Sequence, residues 1–342
     1  MLSHGGNLAE AAAEFGIPEE QWLDLSTGLN PDFWVLKETI PTKYLAQLPY
    51  PDNKLLNAAI DYYGTTQLLP VPGSQAAIQL IPQIKKACSV LMPVPGYEEH
   101  IYHWRKNGHK VTPYNSQQDE LLDIIQQDQP NVVLVINPNN PTGHLYTKSE
   151  LLALLKAVEH YAGLLIIDEA FIDTRPEHSL SNVSSDSLII LRSLGKFFGL
   201  PGVRVGFVIA NQAWRHTIES ALGPWAVSGP SQWIASQCLK DTVWQQEATT
   251  SLQTLSHKQS AFLSEVFGNI SLKTGSSDYF NTLHLPAKTA KAIQNHFAQN
   301  GILIRRIDLT KEESLLRFGL CADRKSLSFF QQVSRSYIDL HL

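Results

Sequence analysis

The sequence has few cysteines, no long uninterrupted apolar stretch and no excess of basic residues. Its three cysteines, Cys88, Cys238 and Cys321, lie far apart and form no CxxC pair. Such a set argues against a disulfide framework and is typical of reduced thiols in a cytoplasmic enzyme. No segment approaches the roughly 18 consecutive apolar residues of a membrane-spanning helix, and the first residues do not resemble a signal peptide. We therefore expect a cytoplasmic protein that does not enter a membrane.

The charge balance argues against a nucleic-acid partner. The chain carries 27 Lys and Arg residues against 32 Asp and Glu residues, which gives a formal net charge of -5. Nucleic-acid-binding surfaces normally appear as a basic excess or a stripe of Lys and Arg, and neither is visible here. A length of 342 residues with 43% hydrophobic residues instead favours two domains with a large buried core.

Short apolar runs alternate with helical patterns over much of the chain. Strands buried on both faces, as in a mostly parallel sheet covered by helices, have this character. The region 148–161 has leucines at helical spacing, which predicts a helix between two of the strands. The predicted architecture is therefore α/β. The predicted strands cover residues 88–92, 132–136, 164–167, 188–191 and 206–210.

The two ends of the chain differ in character from this central region. Asn7 and Glu10 predict the capped start of a helix that Gly16 ends. After Pro224 the helices become longer and more polar, and strands are predicted only at 301–306 and 314–319. We therefore expect an N-terminal arm and helix that pack with a smaller α/β domain. The predicted divisions are 1–30 for the arm, 31–225 for the large domain and 226–342 for the small domain.

Polar segments follow several of the predicted strands, where open α/β sheets bind their ligands. A glycine turn at the start of a predicted helix is formed by Gly73, Ser74 and Gln75. Such turns are common before helices in many proteins, but they are also natural phosphate sites. Residues 137–143 read Asn-Pro-Asn-Asn-Pro-Thr-Gly, which predicts a turn with more asparagine than a turn requires. Asp168 follows the next strand, where a carboxylate suits a metal, a base or a cationic heterocycle.

A lysine lies in a glycine-rich, partly apolar turn after the fourth of these strands. An isolated lysine is usually a solvated surface charge, but Lys196 is flanked by Gly195 and by two phenylalanines. Apolar surroundings lower the pKa of a lysine and favour the neutral amine that attacks an aldehyde. Arg204, eight residues further on, is a fixed cation suited to a phosphate.

The order of these segments resembles the class I and II aminotransferases of the aspartate aminotransferase fold. The resemblance extends from Ser26 to Gly319, and the motifs Asn-Pro-x-Asn-Pro-Thr-Gly and Ser-x-x-Lys-x-x-Gly-x-x-Gly-x-Arg carry it. It implies pyridoxal 5'-phosphate (PLP) as cofactor, fold type I with a mostly parallel seven-stranded sheet, and no metal. It also implies a homodimer with shared active sites, since Tyr50 matches a tyrosine that reaches the neighbouring subunit's cofactor.

The resemblance assigns a role to each site residue. Lys196 forms the Schiff base with PLP and shuttles protons, Asp168 pairs with the pyridinium nitrogen, and Tyr97 stacks on the ring. These three are the expected catalytic residues. The expected cofactor-binding residues are these three together with Gly73, Ser74, Gln75, Asn140, Ser193, Arg204 and Tyr50. Two positions depart from many relatives: Phe171 replaces a tyrosine that bonds the ring oxygen, and Gly195 replaces a serine near the phosphate.

The N-terminal sequence resembles the threonine-phosphate decarboxylase branch of this family. Residues 4–7, His-Gly-Gly-Asn, and residues 22–31 carry this resemblance. It implies decarboxylation of L-threonine O-3-phosphate to (R)-1-amino-2-propanol O-2-phosphate in cobalamin biosynthesis. Arg306 is an open alternative to Arg305, because strand alternation lets only one of them face the substrate. The expected residues that bind this small phosphorylated amino acid are His4, Gly5, Gly28, Asn140, Arg305 and Arg317.

Two other functions remain open from the sequence, as do alternative interpretations of two local motifs. An aminotransferase acting on histidinol phosphate or another amino acid would share every cofactor residue, and a PLP-binding domain without turnover is a third possibility. The glycines at residues 5 and 6 also fit a frayed terminus. His100 and His103, with Glu99 beside them, resemble a metal pair, but the pattern favours a solvated helix face.

Overall fold

The computed structural model describes residues 5–116 and 120–341. These described residues contain twelve strands and thirteen helices of four or more residues. The strands are β1 (Leu23–Leu25), β2 (Leu68–Val71), β3 (Ser89–Val94), β4 (Lys110–Asn115), β5 (Val132–Ile136), β6 (Leu164–Asp168), β7 (Leu188–Ser193), β8 (Gly206–Ala210), β9 (Lys273–Ser277), β10 (Phe280–Pro286), β11 (Ile302–Asp308) and β12 (Glu313–Gly319).

The helices alternate with the strands through the first two thirds of the chain. They are α1 (Leu8–Phe15), α2 (Lys43–Ala46), α3 (Asn53–Tyr63), α4 (Ser74–Ile84), α5 (Glu98–Lys106), α6 (Leu121–Asp128), α7 (Lys148–Glu159), α8 (Leu194–Phe197), α9 (Gln212–Leu222), α10 (Gly229–Cys238), α11 (Thr242–Phe267), α12 (Ala287–Gln299) and α13 (Arg324–His341). Three short 3-10 turns cover Glu19–Gln21, Pro176–His178 and Pro201–Val203. Within the described residues, none of these helices combines the length and the apolar character needed to span a bilayer.

The larger compact unit covers residues 33–140 and 145–248 and contains a seven-stranded sheet. Its strand order is β2-β8-β7-β6-β5-β3-β4, and strands β3 to β7 run parallel to one another. β8 is antiparallel to β7 and to β2. Every residue of β5, β6 and β8 is buried, which explains their continuous apolar sequences. The predicted α/β fold with a mostly parallel seven-stranded sheet is confirmed.

The smaller unit contains the described residues up to 32, residues 141–144 and the chain from residue 249 onward. Its five-stranded sheet has the order β1-β11-β12-β10-β9, in which only the β1–β11 pair is parallel. One face of this sheet packs on α11, α12 and α13 through Phe262, Phe297, Phe318 and Phe330. α1 begins at the Asn7 cap, ends at the left-handed Gly16 and packs beside Trp22 and Ala298.

The boundary between the units lies inside α11, about 20 residues after the position expected from composition. α10 belongs to the larger unit because its side chains anchor residues 44–52. Gln232 accepts a hydrogen bond from the Asp52 amide at 2.8 Å and donates to the Pro49 carbonyl at 3.2 Å. The Trp233 ring packs on Tyr44 with the ring centroids 5.2 Å apart. These contacts join residues distant in sequence, so composition alone does not show them.

Candidate active site

The carboxyl ends of three adjacent parallel strands bring the predicted polar segments together in the larger unit. Ile136 at the end of β5 pairs with Asp168 at the end of β6, and Asp168 pairs with Leu191 of β7. Asn140 therefore follows one strand, Asp168 ends the next, and Lys196 follows the third. This edge of the sheet is where an open α/β fold binds its ligand.

Asp168 is a buried carboxylate with a partner at each oxygen. Its Oδ1 accepts the Ala170 amide at 3.1 Å, and its Oδ2 lies 2.9 Å from Nε2 of His100. Both side chains are almost inaccessible to solvent. A carboxylate held in this way suits a cationic ring nitrogen, because a buried charge needs a partner and a fixed orientation.

The contact between His100 and Asp168 corrects the sequence interpretation of the histidine pair. His100 and His103 are both buried, so the expected solvated helix face is wrong. His100 pairs with Asp168, while Nε2 of His103 lies 3.0 Å from Glu99. One feature of the sequence could have indicated that His100 belongs to the site. His100 lies three residues after Tyr97, and residues at that spacing lie on the same side of a helix. No cluster of three His, Cys, Asp or Glu side chains suited to a metal occurs among residues 5–116 and 120–341.

The glycine turn before α4 forms a cationic cradle with Arg204. Gly73 has a left-handed φ of 79°, and a Cβ there would lie 2.9 Å from Nη2 of Arg204. A Cβ on Gly206 would lie 2.5 Å from the Ser74 amide nitrogen, so this amide lies directly against β8. The N-terminus of an 11-residue helix next to a guanidinium is an arrangement suited to a phosphate.

Tyr97 is connected to this helix through a chain of hydrogen bonds. Its hydroxyl donates to Gln75 at 3.1 Å, and Gln75 donates to Glu99 at 2.8 Å. The Tyr97 and His100 rings meet edge to face, with centroids 6.1 Å apart. The tyrosine ring is thereby fixed relative to both the helix N-terminus and the partner of Asp168.

Lys196 lies half-buried on the short helix α8, which begins at the Ser193 cap. Its Nζ lies 5.3 Å from the centroid of the Phe171 ring. An aromatic face at that distance attracts a cation, so Phe171 positions the lysine although it lacks the phenol of many relatives. The Ser193 hydroxyl accepts the Gly195 amide at 3.2 Å, which fixes the turn that carries the lysine.

The asparagine-rich turn after β5 contains both buried and accessible residues. Asn137 is buried and bonds the Tyr146 backbone in both directions, at 2.8 and 3.3 Å. Asn139 is also buried, whereas Asn140 is only partly so. Asn137 therefore holds the turn, and Asn140 is the asparagine with accessible surface.

A buried ionic cluster, made of Arg192, Glu169 and Asp173, lies behind the strand ends. Arg192 contacts Glu169 at 3.0 Å and Asp173 at 2.8 Å, and the side chains of all three are at most 4% exposed. Burial raises the pKa of the Glu169 carboxyl, while Arg192 and local hydrogen bonds oppose that shift. Burial alone would lower the Arg192 pKa, but Asp173 and Glu169 keep it above its usual value. Glu169 and Arg192 adjoin Asp168 and Ser193, so the cluster ties together two strand ends of the site.

The smaller unit carries the predicted substrate arginines on β11 and β12. Arg305 and Arg317 are directly opposite in the antiparallel pair and therefore share one face of the sheet. Arg306 points to the other face, where it pairs with Asp308 at 3.0 Å. The register therefore groups Arg305, and not Arg306, with Arg317.

The remaining predicted residues are distributed over both units. Gly5 lies against Ser26, since a Cβ at Gly5 would lie 2.4 Å from the Ser26 carbonyl oxygen, and Gly28 is buried in the same unit. His4 lies outside the described residues. In the larger unit, Tyr50 is 68% exposed and packs edge to face against Trp225, with centroids 6.2 Å apart.

Comparison with known proteins adds family evidence to this geometry. Residues 21–327 match the family model described as aminotransferase class I and II. The chain is 38% identical to a threonine-phosphate decarboxylase of Pseudomonas aeruginosa over 94% of both chains. It is 39% identical to a threonine-phosphate decarboxylase of a Sinorhizobium species over 70% of this chain and 72% of the relative. Its fold matches the crystal structure of histidinol-phosphate aminotransferase from Clostridium acetobutylicum with a TM-score of 0.77, 26% identity, and coverage of 93% and 99% of the two chains.

Proposed function

Since this chain belongs to the class I and II aminotransferase family, we propose that it is a PLP-dependent decarboxylase of L-threonine O-3-phosphate. The product is (R)-1-amino-2-propanol O-2-phosphate, used in cobalamin biosynthesis. The observation that carries this proposal is the similarity to a threonine-phosphate decarboxylase, which extends over nearly the full length of both chains. The site residues of the larger unit support it with a complete set of groups for the cofactor.

The donor set around Asp168 fits PLP. The buried carboxylate, oriented by His100 and the Ala170 amide, would hold the protonated ring nitrogen. The cradle of Gly73, Ser74 and Arg204, where an added Cβ would collide, would hold the phosphate, together with Gln75 and Ser193. Tyr97 would stack on the ring, Asn140 would bond its oxygen, and Lys196 would hold the cofactor covalently. When bound, PLP supplies an electron sink for bonds at the substrate α-carbon.

Three groups of this chain govern the reaction that the cofactor makes possible. Arg317 binds the α-carboxylate, so it sets which bond of the α-carbon is broken. Arg305, on the same face of the sheet, binds the substrate phosphate. Loss of CO2 leaves its bonding electron pair behind, and Lys196 in its ammonium form delivers the proton that takes the place of CO2 at the α-carbon and becomes the neutral amine. We assign His4, Gly5 and Gly28 to the substrate as well.

A product assay tests this function against its main alternative. The purified holoenzyme is incubated with L-threonine O-3-phosphate, with and without 2-oxoglutarate, and CO2 and glutamate are measured. Release of CO2 without glutamate supports the decarboxylase. Glutamate formation would favour an aminotransferase, the activity named for the Clostridium acetobutylicum protein of the same fold. Neither product with PLP bound would favour a binding domain without turnover.

We also propose a homodimer with shared active sites. Tyr50 and Trp225 pack together and expose 68% and 44% of their surface, and Leu45 and Leu48, close to Tyr50 in sequence, expose 68% and 61%. An apolar patch of this kind is typical of a protein interface, and Tyr50 within it would reach the partner's cofactor phosphate. Mixing the inactive variants Tyr50→Ala and Lys196→Ala would then restore about a quarter of wild-type activity through mixed dimers. No recovery after subunit exchange would contradict shared sites.

A cytoplasmic location completes the proposal. All three cysteines are free thiols, and Cys238 and Cys321 are buried. Free thiols persist where the redox environment is reducing. Fractionation of the host cell would test this location.

A further inference from the structure

The guanidinium of Arg317 is held by a backbone carbonyl from a distant part of the chain. Its Nη2 donates to the Ser26 carbonyl oxygen at 2.6 Å, although 291 residues separate the two positions. The same guanidinium lies 5.4 Å from the centroid of the Phe280 ring. A guanidinium has five N–H donors, so its bonding capacity is compatible with both a backbone carbonyl and a bidentate carboxylate.

Ser26 is itself fixed by a compact set of hydrogen bonds. Its amide and its hydroxyl both donate to Oδ1 of Asp24, at 2.8 and 2.6 Å. Its hydroxyl oxygen accepts the Gly6 amide at 2.7 Å. Ser26 is almost fully buried, so these bonds have little competition from water.

The backbone on both sides of Ser26 is packed too closely for any free movement of the carbonyl. A Cβ on Gly5 would lie 2.4 Å from the Ser26 oxygen and 2.9 Å from its carbonyl carbon. A Cβ on Gly319, two residues after Arg317, would lie 2.4 Å from the Thr27 oxygen. The N-terminal segment and the end of β12 therefore enclose the residue that orients the arginine.

We infer that Ser26 is a positioning residue for recognition of the substrate α-carboxylate. Asp24 and the Gly5–Gly6 segment hold Ser26 in place, and the Ser26 carbonyl holds the Arg317 guanidinium. Recognition of the carboxylate thus depends on the N-terminal segment through Ser26. This inference rests on the proposed function only in assigning the carboxylate of an amino-acid phosphate to Arg317.

Two ligands that differ by the carboxylate test the inference. L-threonine O-3-phosphate carries it, and (R)-1-amino-2-propanol O-2-phosphate does not. Binding of each to the holoenzyme is measured by rapid-mixing spectral titration, before the substrate is turned over, for wild type, Asp24→Ala and Ser26→Ala. We expect the carboxylate-bearing ligand to bind about 10-fold more weakly to each variant, the scale of one charge-assisted hydrogen bond, and the other ligand to bind within about 2-fold of wild type.

Two control variants separate positioning from a general structural effect. Asp24→Asn keeps the Oδ1 acceptor for both Ser26 donors, so it restores the wild-type preference. Ser271→Ala removes a surface hydroxyl that donates a long hydrogen bond, 3.4 Å, to the Gly268 carbonyl, and leaves both affinities unchanged. Equal weakening of both ligands, or no weakening of either, would overturn the inference. If the wild type binds both ligands but releases no CO2, the proposed reaction fails, while the comparison of ligands still decides the role of Ser26.

Discussion

Replacing Arg192 with methionine should destabilise the protein strongly, and more at alkaline than at acidic pH. Methionine keeps the apolar length of the side chain but removes the cation that faces two buried carboxylates, Glu169 and Asp173. Removing one partner of a buried ion pair typically costs about 3–5 kcal/mol, because the remaining charge has no compensation. We expect a loss in the free energy of unfolding of that order at pH 8.

The pH dependence follows from the carboxyl of Glu169. Its folded-state pKa is raised by burial, and Arg192 limits the rise. A carboxyl whose pKa is raised in the folded state contributes stability at pH values below its unfolded-state pKa. That contribution is lost as the pH rises through the folded-state pKa. Without Arg192 the folded pKa rises further, and each additional unit adds about 1.4 kcal/mol to the loss at pH 8. A larger fraction of this carboxyl is protonated at pH 5 than at pH 8, so the destabilisation should be smaller at pH 5.

Urea unfolding of the holoenzyme at pH 5 and pH 8, at fixed protein and PLP concentrations, measures both effects. Arg335→Met is the matched control, because Arg335 pairs with Glu265 and both side chains are more than half exposed. This variant should lose less than about 1 kcal/mol in the free energy of unfolding. Adding Glu169→Gln to Arg192→Met should recover part of the stability at pH 8, because it removes an uncompensated charge. Equal losses at both pH values, or no recovery in the double variant, would refute the electrostatic explanation.

Three further predictions concern the site. His100→Phe removes the partner of Asp168 Oδ2 and should lower kcat by about 10–100-fold while the fold is retained, as steady-state kinetics and circular dichroism would show; unchanged kcat would contradict this role. Lys196→Ala should abolish covalent attachment of PLP, which mass spectrometry after borohydride reduction detects, and a labelled variant would refute the assignment. Arg305→Ala should raise KM for L-threonine O-3-phosphate at least about 10-fold, whereas Arg306→Ala, on the opposite face with Asp308, should change it little; the reverse order would exclude Arg305.

Much of the larger unit could be predicted because its strands are buried on both faces. β5 and β8 follow their predicted bounds closely, since continuous apolar sequence is itself the signal of that burial. β4 and β9 have polar, largely exposed sequences and gave no such signal. The small five-stranded sheet was therefore only partly visible, and the boundary after α10 depended on contacts between Gln232 and residues 49–52.

The sequence by itself determined the family and the order in which the candidate cofactor residues follow the strands, because those motifs are local and their backbone needs are specific. Only the tertiary structure decided which side chains support them. His100 reaches Asp168 across 68 residues, and the Ser26 carbonyl reaches Arg317 across 291. Pairing of β11 with β12 placed Arg305 on the face of Arg317. Such contacts depend on strand register and on packing between distant segments. Neither can be predicted from a pattern of neighbouring residues.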